Sequence, residues 1–227
     1  MQRVFDRGLA ELKERLLKMG GLVEQMIHRA VESLVRRDGD LIAEVVDLEH
    51  QVNVAQIEID NLAVRLLATQ QPMAVDLRNI IACSRINSEL ERMGDQAINI
   101  CDNTQFLLAE PELKPLIDIP IMATEVKQMV QRSLDSFVKR SVEQAQEVIL
   151  SDDRVDALKD QIFRELLTYM MSDPSAIRRA ISLILISRNL ERIADHAVNV
   201  AEEVIYFVQG RDVRHPGESG QARPGPA

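Results

Sequence analysis

Tryptophan is absent from this chain of 227 residues, and all aromatics together make up only 3% of it. Sheets lean on aromatic and β-branched side chains, so this shortage of ring area argues against strands. Leu, Ile, Val, Ala and Met fill the apolar positions, which suits helix-on-helix packing. The expected class is all-α. Cysteine is scarce too: Cys83 and Cys101 are the only two, fall in one predicted helix, and lie too far apart along it to bridge. They are expected to be buried thiols of a reducing compartment, which points to the cytoplasm.

Positive charge is in deficit, with 27 Lys and Arg against 36 Asp and Glu and a formal net charge of −9. Without an overall positive field nothing displaces the counterions of a phosphate backbone, so nucleic acid is excluded as a partner. Long apolar runs are missing as well. The longest, near Ile181 to Ile186, is far below bilayer length, and MQRVFDRGLAELKERLL at the start lacks the apolar core of a signal peptide, so no direct membrane insertion is expected. Glycine-rich phosphate loops, nucleophile motifs and Cys-x-x-Cys pairs do not occur.

What the chain does have is a repeat. Leu90 to Ile100, LERMGDQAINI, returns one hundred residues later as Leu190 to Val200, LERIADHAVNV, with six of eleven positions identical. The plan around each copy is also similar. Apolar residues recur at three and four from about Phe5 to Arg37, the pattern of a long amphipathic helix, with Gly20-Gly21 expected to loosen its middle. Asp38-Gly39-Asp40 stops it, and Asp40 is the expected N-cap of a second helix to about Thr69. After Pro72 a third helix runs from about Val75 to Leu108 and carries the first motif. Prolines at 111, 115 and 120 mark a linker. The second half follows with helices from about Ile121 to Lys139, from a Ser141-x-x-Gln144 capping box, and from Asp173-Pro174 to about Val208.

Short connections force antiparallel neighbours, so the architecture expected is two tandem antiparallel three-helix bundles. The first covers residues 1–110, the linker 111–120 and the second 121–209. The tail from Gly210 (210–227) is rich in glycine and proline with almost nothing apolar, and is expected to be disordered.

At 100° per residue, Ile86, Leu90, Met93, Ala97, Ile100 and Thr104 share the core side of the third helix, which leaves Glu91, Asp95, Asn99 and Asp102 opposite. Taken alone, an exposed acid is simply the solvated face of a helix. Two features go further. Exposed positions drift because their substitutions cost little, yet Glu, Arg, Asp and Asn recur in both copies. Carboxylates at i and i+4 also repel by roughly 0.2 to 0.5 kcal/mol, an arrangement a cation between them would relieve. Glu91/Asp95 and Glu191/Asp195 are therefore candidate oxygen ligands. Counting back from the turns places Glu49, with Asp47 beside it, level with Asp95, and Asp152 and Asp153 level with Glu191 to Asp195. Asn99 and Asn199 complete the candidate set. Carboxylate and amide oxygens without thiolate suit Mg²⁺, Ca²⁺, Mn²⁺ or iron. Arg92 and Arg192 are placed to pair with an acid or hold an anion. His196, opposite Gln96 of the first copy, reads as a surface residue, and Met170-Met171 as core filler.

These residues closely resemble the PhoU family over about residues 5–208. The most specific parts are QPMAVDLR at Gln71 to Arg78, SELERMGDQAINI at Ser88 to Ile100 and NLERIADHAVNV at Asn189 to Val200; the family's E(D)-x-x-x-D motif falls on Glu91/Asp95 and Glu191/Asp195. The resemblance implies a cytoplasmic, non-enzymatic negative regulator that couples the ATPase of a phosphate ABC transporter to a phosphate-sensing histidine kinase. It also implies metal, including multinuclear iron, at the acidic motifs. The second half departs from the pattern at Ser172 to Arg178 and at Ala194, which replaces Gly94. Amphipathic faces of this kind also suit a homodimer. Two other classes fit an acidic helical chain. A ferritin-like di-iron enzyme needs inward Glu-x-x-His pairs, and none occurs here; a metal-free helical adaptor would use the same acids to recognise basic partner surfaces.

Overall fold

A computed structural model describes residues 4–70 and 72–210. Among these there are six long helices and no strand: α1 Val4–Arg36, α2 Asp40–Gln70, α3 Ala74–Leu108, α4 Asp118–Lys139, α5 Val142–Ser172 and α6 Ile177–Gln209. Gln71 and the tail beyond Gly210, including His215, lie outside the described residues. Each half is an antiparallel three-helix bundle, α1-α2-α3 and α4-α5-α6. The longest helix, α3 with 35 residues, spans about 50 Å at 1.5 Å per residue.

The 3.6-residue period explains which faces are covered. Leu12, Leu16, Met19, Val23, Met26, Ala30 and Leu34 of α1 are buried, as are Ile86, Leu90, Met93, Ala97, Ile100 and Thr104 of α3. Cys83 and Cys101 are buried and unpaired with each other. One apolar cluster runs through both halves without a break, because α3 packs on α6 and α1 on α4. In both pairs the helices run antiparallel, so the molecule is close to twofold symmetric about the α3–α6 crossing.

The repeat extends to details. Arg37 and Arg140 each end a first helix with a left-handed backbone, at φ 56° and 53°, and Ser33 and Ser136 are fully buried one turn before. Val52 and Val155, and Ile59 and Ile162, occupy matching buried places on α2 and α5.

Several local expectations are corrected. Gly20-Gly21 does not loosen α1, which is helical throughout. A Cβ at Gly20 would stand 2.3 Å from Leu134 Cδ1, so this glycine lets α1 approach α4. Asp40 is already helical; the carboxylate of Asp38 accepts from its N–H at 2.9 Å and makes the turn. Helix α4 begins three residues before the predicted start and includes Pro120 in its first turn, where a missing N–H costs nothing. Ser141 does cap α5 through the Gln144 N–H, but the Gln144 side-chain oxygen does not reciprocate and is buried without a partner. A 3₁₀ turn, Pro174–Ala176, precedes α6. Met171 is exposed rather than core.

The connection between α3 and α4 is pinned from three sides. Arg37 donates to the carbonyls of Leu107, Leu108 and Glu110, Arg179 to that of Pro111 at 3.2 Å, and buried Lys114 pairs with Glu165.

Candidate functional site: two acidic faces

Because the buried stripe of α3 fixes its rotation, Glu91, Asp95 and Asn99 stand on the outward side beside α2. The structure brings Glu49 of α2 to the same place: Glu49 and Asp95 both hold the Glu91 carboxyl above its ordinary range, after burial, while Arg92 opposes them. The Asp95 carboxyl is raised by burial and then by Glu49. Glu49 accepts a hydrogen bond from the Asn53 amide at 2.7 Å. Asp47 is exposed and outside the charges that perturb these two. Arg92 is exposed and pairs with Glu89 at 3.5 Å, not with the motif's own Asp95.

The second half gathers more charge. Burial raises the Asp152 carboxyl to about 6, helped by Asp195, Asp156, Glu191 and Asp153. Asp195 is raised by burial, Glu191 and Asp156, against His196 and Lys159. Lys159 lies among them and donates to Asp156 at 2.6 Å and Glu191 at 3.0 Å. Those two bonds hold its ammonium charged well above the ordinary lysine range, against desolvation. Asp156 and Lys159 fall outside the candidates read from the motif helix; the sequence signal for them is on α5, where Asp152, Asp156 and Lys159 share a face at i, i+4 and i+7.

Asn99 keeps its place beside the first face, but Asn199 does not match it. Its amide donates to Glu89 across the α3–α6 junction at 3.0 Å. His196, expected at the surface, donates from Nδ1 to the same carboxylate at 2.7 Å, and only 16% of its side chain is exposed. Although half-buried, Glu89 is held below the usual carboxylate range by His196 and Asn199, with Arg92 adding to the effect. Arg85 likewise reaches across to buried Glu203 at 3.0 Å. These cross-half contacts depend on residues the repeat does not share: Glu89 faces Asn189 in the alignment and His196 faces Gln96, and only Asn199 has its match, in Asn99. Only the antiparallel crossing of the two motif helices could have revealed them.

The Gly94/Ala194 difference is structurally neutral, since a Cβ at Gly94 would make ordinary contacts of 3.5 Å with Met26 and 3.7 Å with Val52. The acidic faces offer oxygen donors whose mutual repulsion is relieved only in part, by Arg92 beside Glu91 and by Lys159 beside Glu191, a donor set that fits a hard cation. Among the described residues, however, no three His, Cys, Asp or Glu side chains are already drawn together tightly enough to hold a metal ion. Coordination would require their rotamers to close inward.

Both halves match the PhoU domain family, over residues 16–104 and 119–204. The phosphate-specific transport system accessory protein PhoU homolog of Pseudomonas aeruginosa is 41% identical over 94% of this chain and 88% of that protein. The crystal structure of PhoU from Pseudomonas aeruginosa superposes with a TM-score of 0.88 at 40% identity, covering 91% of this chain and 100% of that one. The phosphate transport system regulatory protein PhoU from Streptococcus pneumoniae superposes with a TM-score of 0.84 at 27% identity, covering 92% of this chain and 99% of that one.

Proposed function

This chain belongs to the PhoU family, and from that premise we propose that it is a cytoplasmic negative regulator of phosphate uptake and of the phosphate-starvation response. It acts by binding: the long helical faces dock on the ATPase subunit of a phosphate ABC transporter and on a phosphate-sensing histidine kinase. Occupancy of the transporter changes which faces are free, and so biases the kinase towards its phosphatase state. The observation that carries this reading is likeness to accessory and regulatory proteins of phosphate transport across both halves of the chain. Among the described residues no helix is long and apolar enough to cross a membrane, which is compatible with docking on a transporter from outside the bilayer.

The acidic faces hold cations in this proposal. Glu49, Glu91 and Asp95 with Asn99 would serve the first half, and Asp152, Glu191 and Asp195 the second. A divalent metal or an iron cluster would supply the positive charge that their mutual repulsion calls for. Both sets stand on the outward side of their helices, opposite the apolar stripe, whereas the ligands of a ferritin-like di-iron enzyme project into a bundle core. That placement favours a cation that braces or bridges a surface over one that turns over oxygen.

Deleting the gene in its host tests the regulatory reading. Phosphate-starvation genes should then be expressed in high phosphate, and the wild-type chain should silence them again. Unchanged silence after deletion would sink the proposal.

A further inference from the structure

The groove between α5 and α6 has a property that its counterpart in the first half lacks. Three exposed apolar side chains recur every fourth residue on α5 (Phe163, Leu167 and Met171) and three more on α6 (Ile177, Ile181 and Leu185), all between 39% and 79% exposed. The antiparallel register set by the Lys159–Glu191 bond places them as successive rungs, Met171 by Ile177, Leu167 by Ile181 and Phe163 by Leu185. In the first half the third rung is Asp60 and Arg85, both already used: Asp60 accepts from Ser84 and Asn87, and Arg85 is bound to Glu203. In the second half this rung is Phe163 and Leu185, 47% and 39% exposed, in place of a satisfied polar pair.

Farther along the same groove the chemistry changes sign. Ten residues beyond Leu185 and eleven before Phe163 stand Asp195 and Asp152, about 15 Å away along the helices. Lys159 takes up Asp156 and Glu191 directly and, with His196, offsets Asp195 only through space, so Asp152 and Asp195 hold no direct ion pair among the described residues. A straight groove with apolar rungs one helical turn apart, followed by carboxylates, is complementary to an amphipathic helix.

We propose that the α5–α6 groove docks a helical segment of a partner protein whose apolar stripe seats on the Phe163, Leu167 and Leu185 rungs and whose lysines or arginines, about three turns on, reach Asp152 and Asp195 in place of a metal cation. This deepens the regulator reading above and rests on it: one docking face is assigned to the second half, and the partner's chemistry is specified.

The test uses the full chain and a fluorescein-labelled helical peptide of about 24 residues, with leucines four residues apart over its first three turns and lysines beginning about ten residues beyond the last leucine. Anisotropy should show saturable binding to the wild type. Phe163→Asp and Leu185→Arg, which copy the first half and are checked for helical content by circular dichroism, should each weaken it at least about tenfold. Exchanging the peptide lysines for glutamates should weaken it equally. Binding that ignores both the variants and the peptide charge would overturn the proposal. So would a wild type that sediments as a dimer which both variants split, since a second copy would then cover the face. The deletion strain separates this failure from that of the regulator reading. A Phe163→Asp chain that restores silencing as fully as the wild type overturns the groove and leaves the regulator standing, whereas a wild-type chain that restores nothing sinks both.

Discussion

In the first half the carboxylate contributed by the second helix, Glu49, is held by an amide, that of Asn53. In the second half an ammonium, that of Lys159, bridges the second helix's Asp156 and the third helix's Glu191. The two faces carry the same Glu-x-x-x-Asp motif, yet one contains its own cation and the other does not. Gln56 occupies the place on α2 that Lys159 occupies on α5. On the proposed reading, keeping the acids while changing the neighbour gives the two faces different cation affinities.

Exchanging those neighbours should give the largest effect. With the opposite face silenced by Glu-to-Gln and Asp-to-Asn changes in its motif, Lys159→Gln should tighten Mn²⁺ binding at the second face about tenfold. Gln56→Lys should weaken the first face by a similar factor, because a unit charge a few ångströms away is worth about a pK unit of interaction. Calorimetric titration reads both, and two faces that respond identically would dissolve the comparison.

A smaller effect is expected where the halves meet. Glu89→Gln removes the anion that His196 and Asn199 share, and should cost about 1 to 2 kcal/mol in urea unfolding at pH 7. The Glu89 carboxyl is depressed in the folded state, so its contribution is present above the unfolded value of about 4.3 and is lost as pH falls through the folded one. Wild type and variant should therefore converge in acid. A gap that stays constant down to pH 3 would mean that Glu89 acts only through packing.

The smallest effect has the opposite sign. Asp152 is raised to about 6, above its unfolded value of about 3.9, so folding favours its protonated form. The stability this contributes is complete below the unfolded pKa and is lost as pH rises to about 6 and beyond. Asp152→Asn should consequently gain about 1 kcal/mol at pH 7.5, after discounting for solvent screening, and nothing at pH 4. Equal midpoints at both pH values would refute the crowding of charge at this face.

Periodicity and turn residues made the helices legible. The apolar stripes of α1 and α3 settle rotation, and Ser141 and the glycine-proline breaks settle most of the boundaries. Competing local chemistry hides the rest: a proline tolerated in a first turn, an aspartate two residues before the helix start that takes the capping role, and a single glycine, Gly20, that serves helix approach while a Cβ at Gly21 would meet nothing. The motif carboxylates stand out by the repeat and their i, i+4 spacing, and the levels of Glu49 and Asp152 follow from counting along antiparallel helices. Lys159 is legible by its spacing of three and seven from Asp156 and Asp152 on α5. The Glu89–His196–Asn199 contact was not legible, because it depends on how α3 crosses α6, and neither helical period nor internal repeat encodes that pairing.

Affinity purification of the tagged protein from its own host, in high and in low phosphate, tests most directly whether this chain couples a phosphate transporter to a sensor kinase. Mass spectrometry should recover the phosphate transporter's ATPase subunit and a sensor histidine kinase. Recovery of neither under either condition, with iron still tightly bound to the protein, would contradict the account and make the metal the function to be explained.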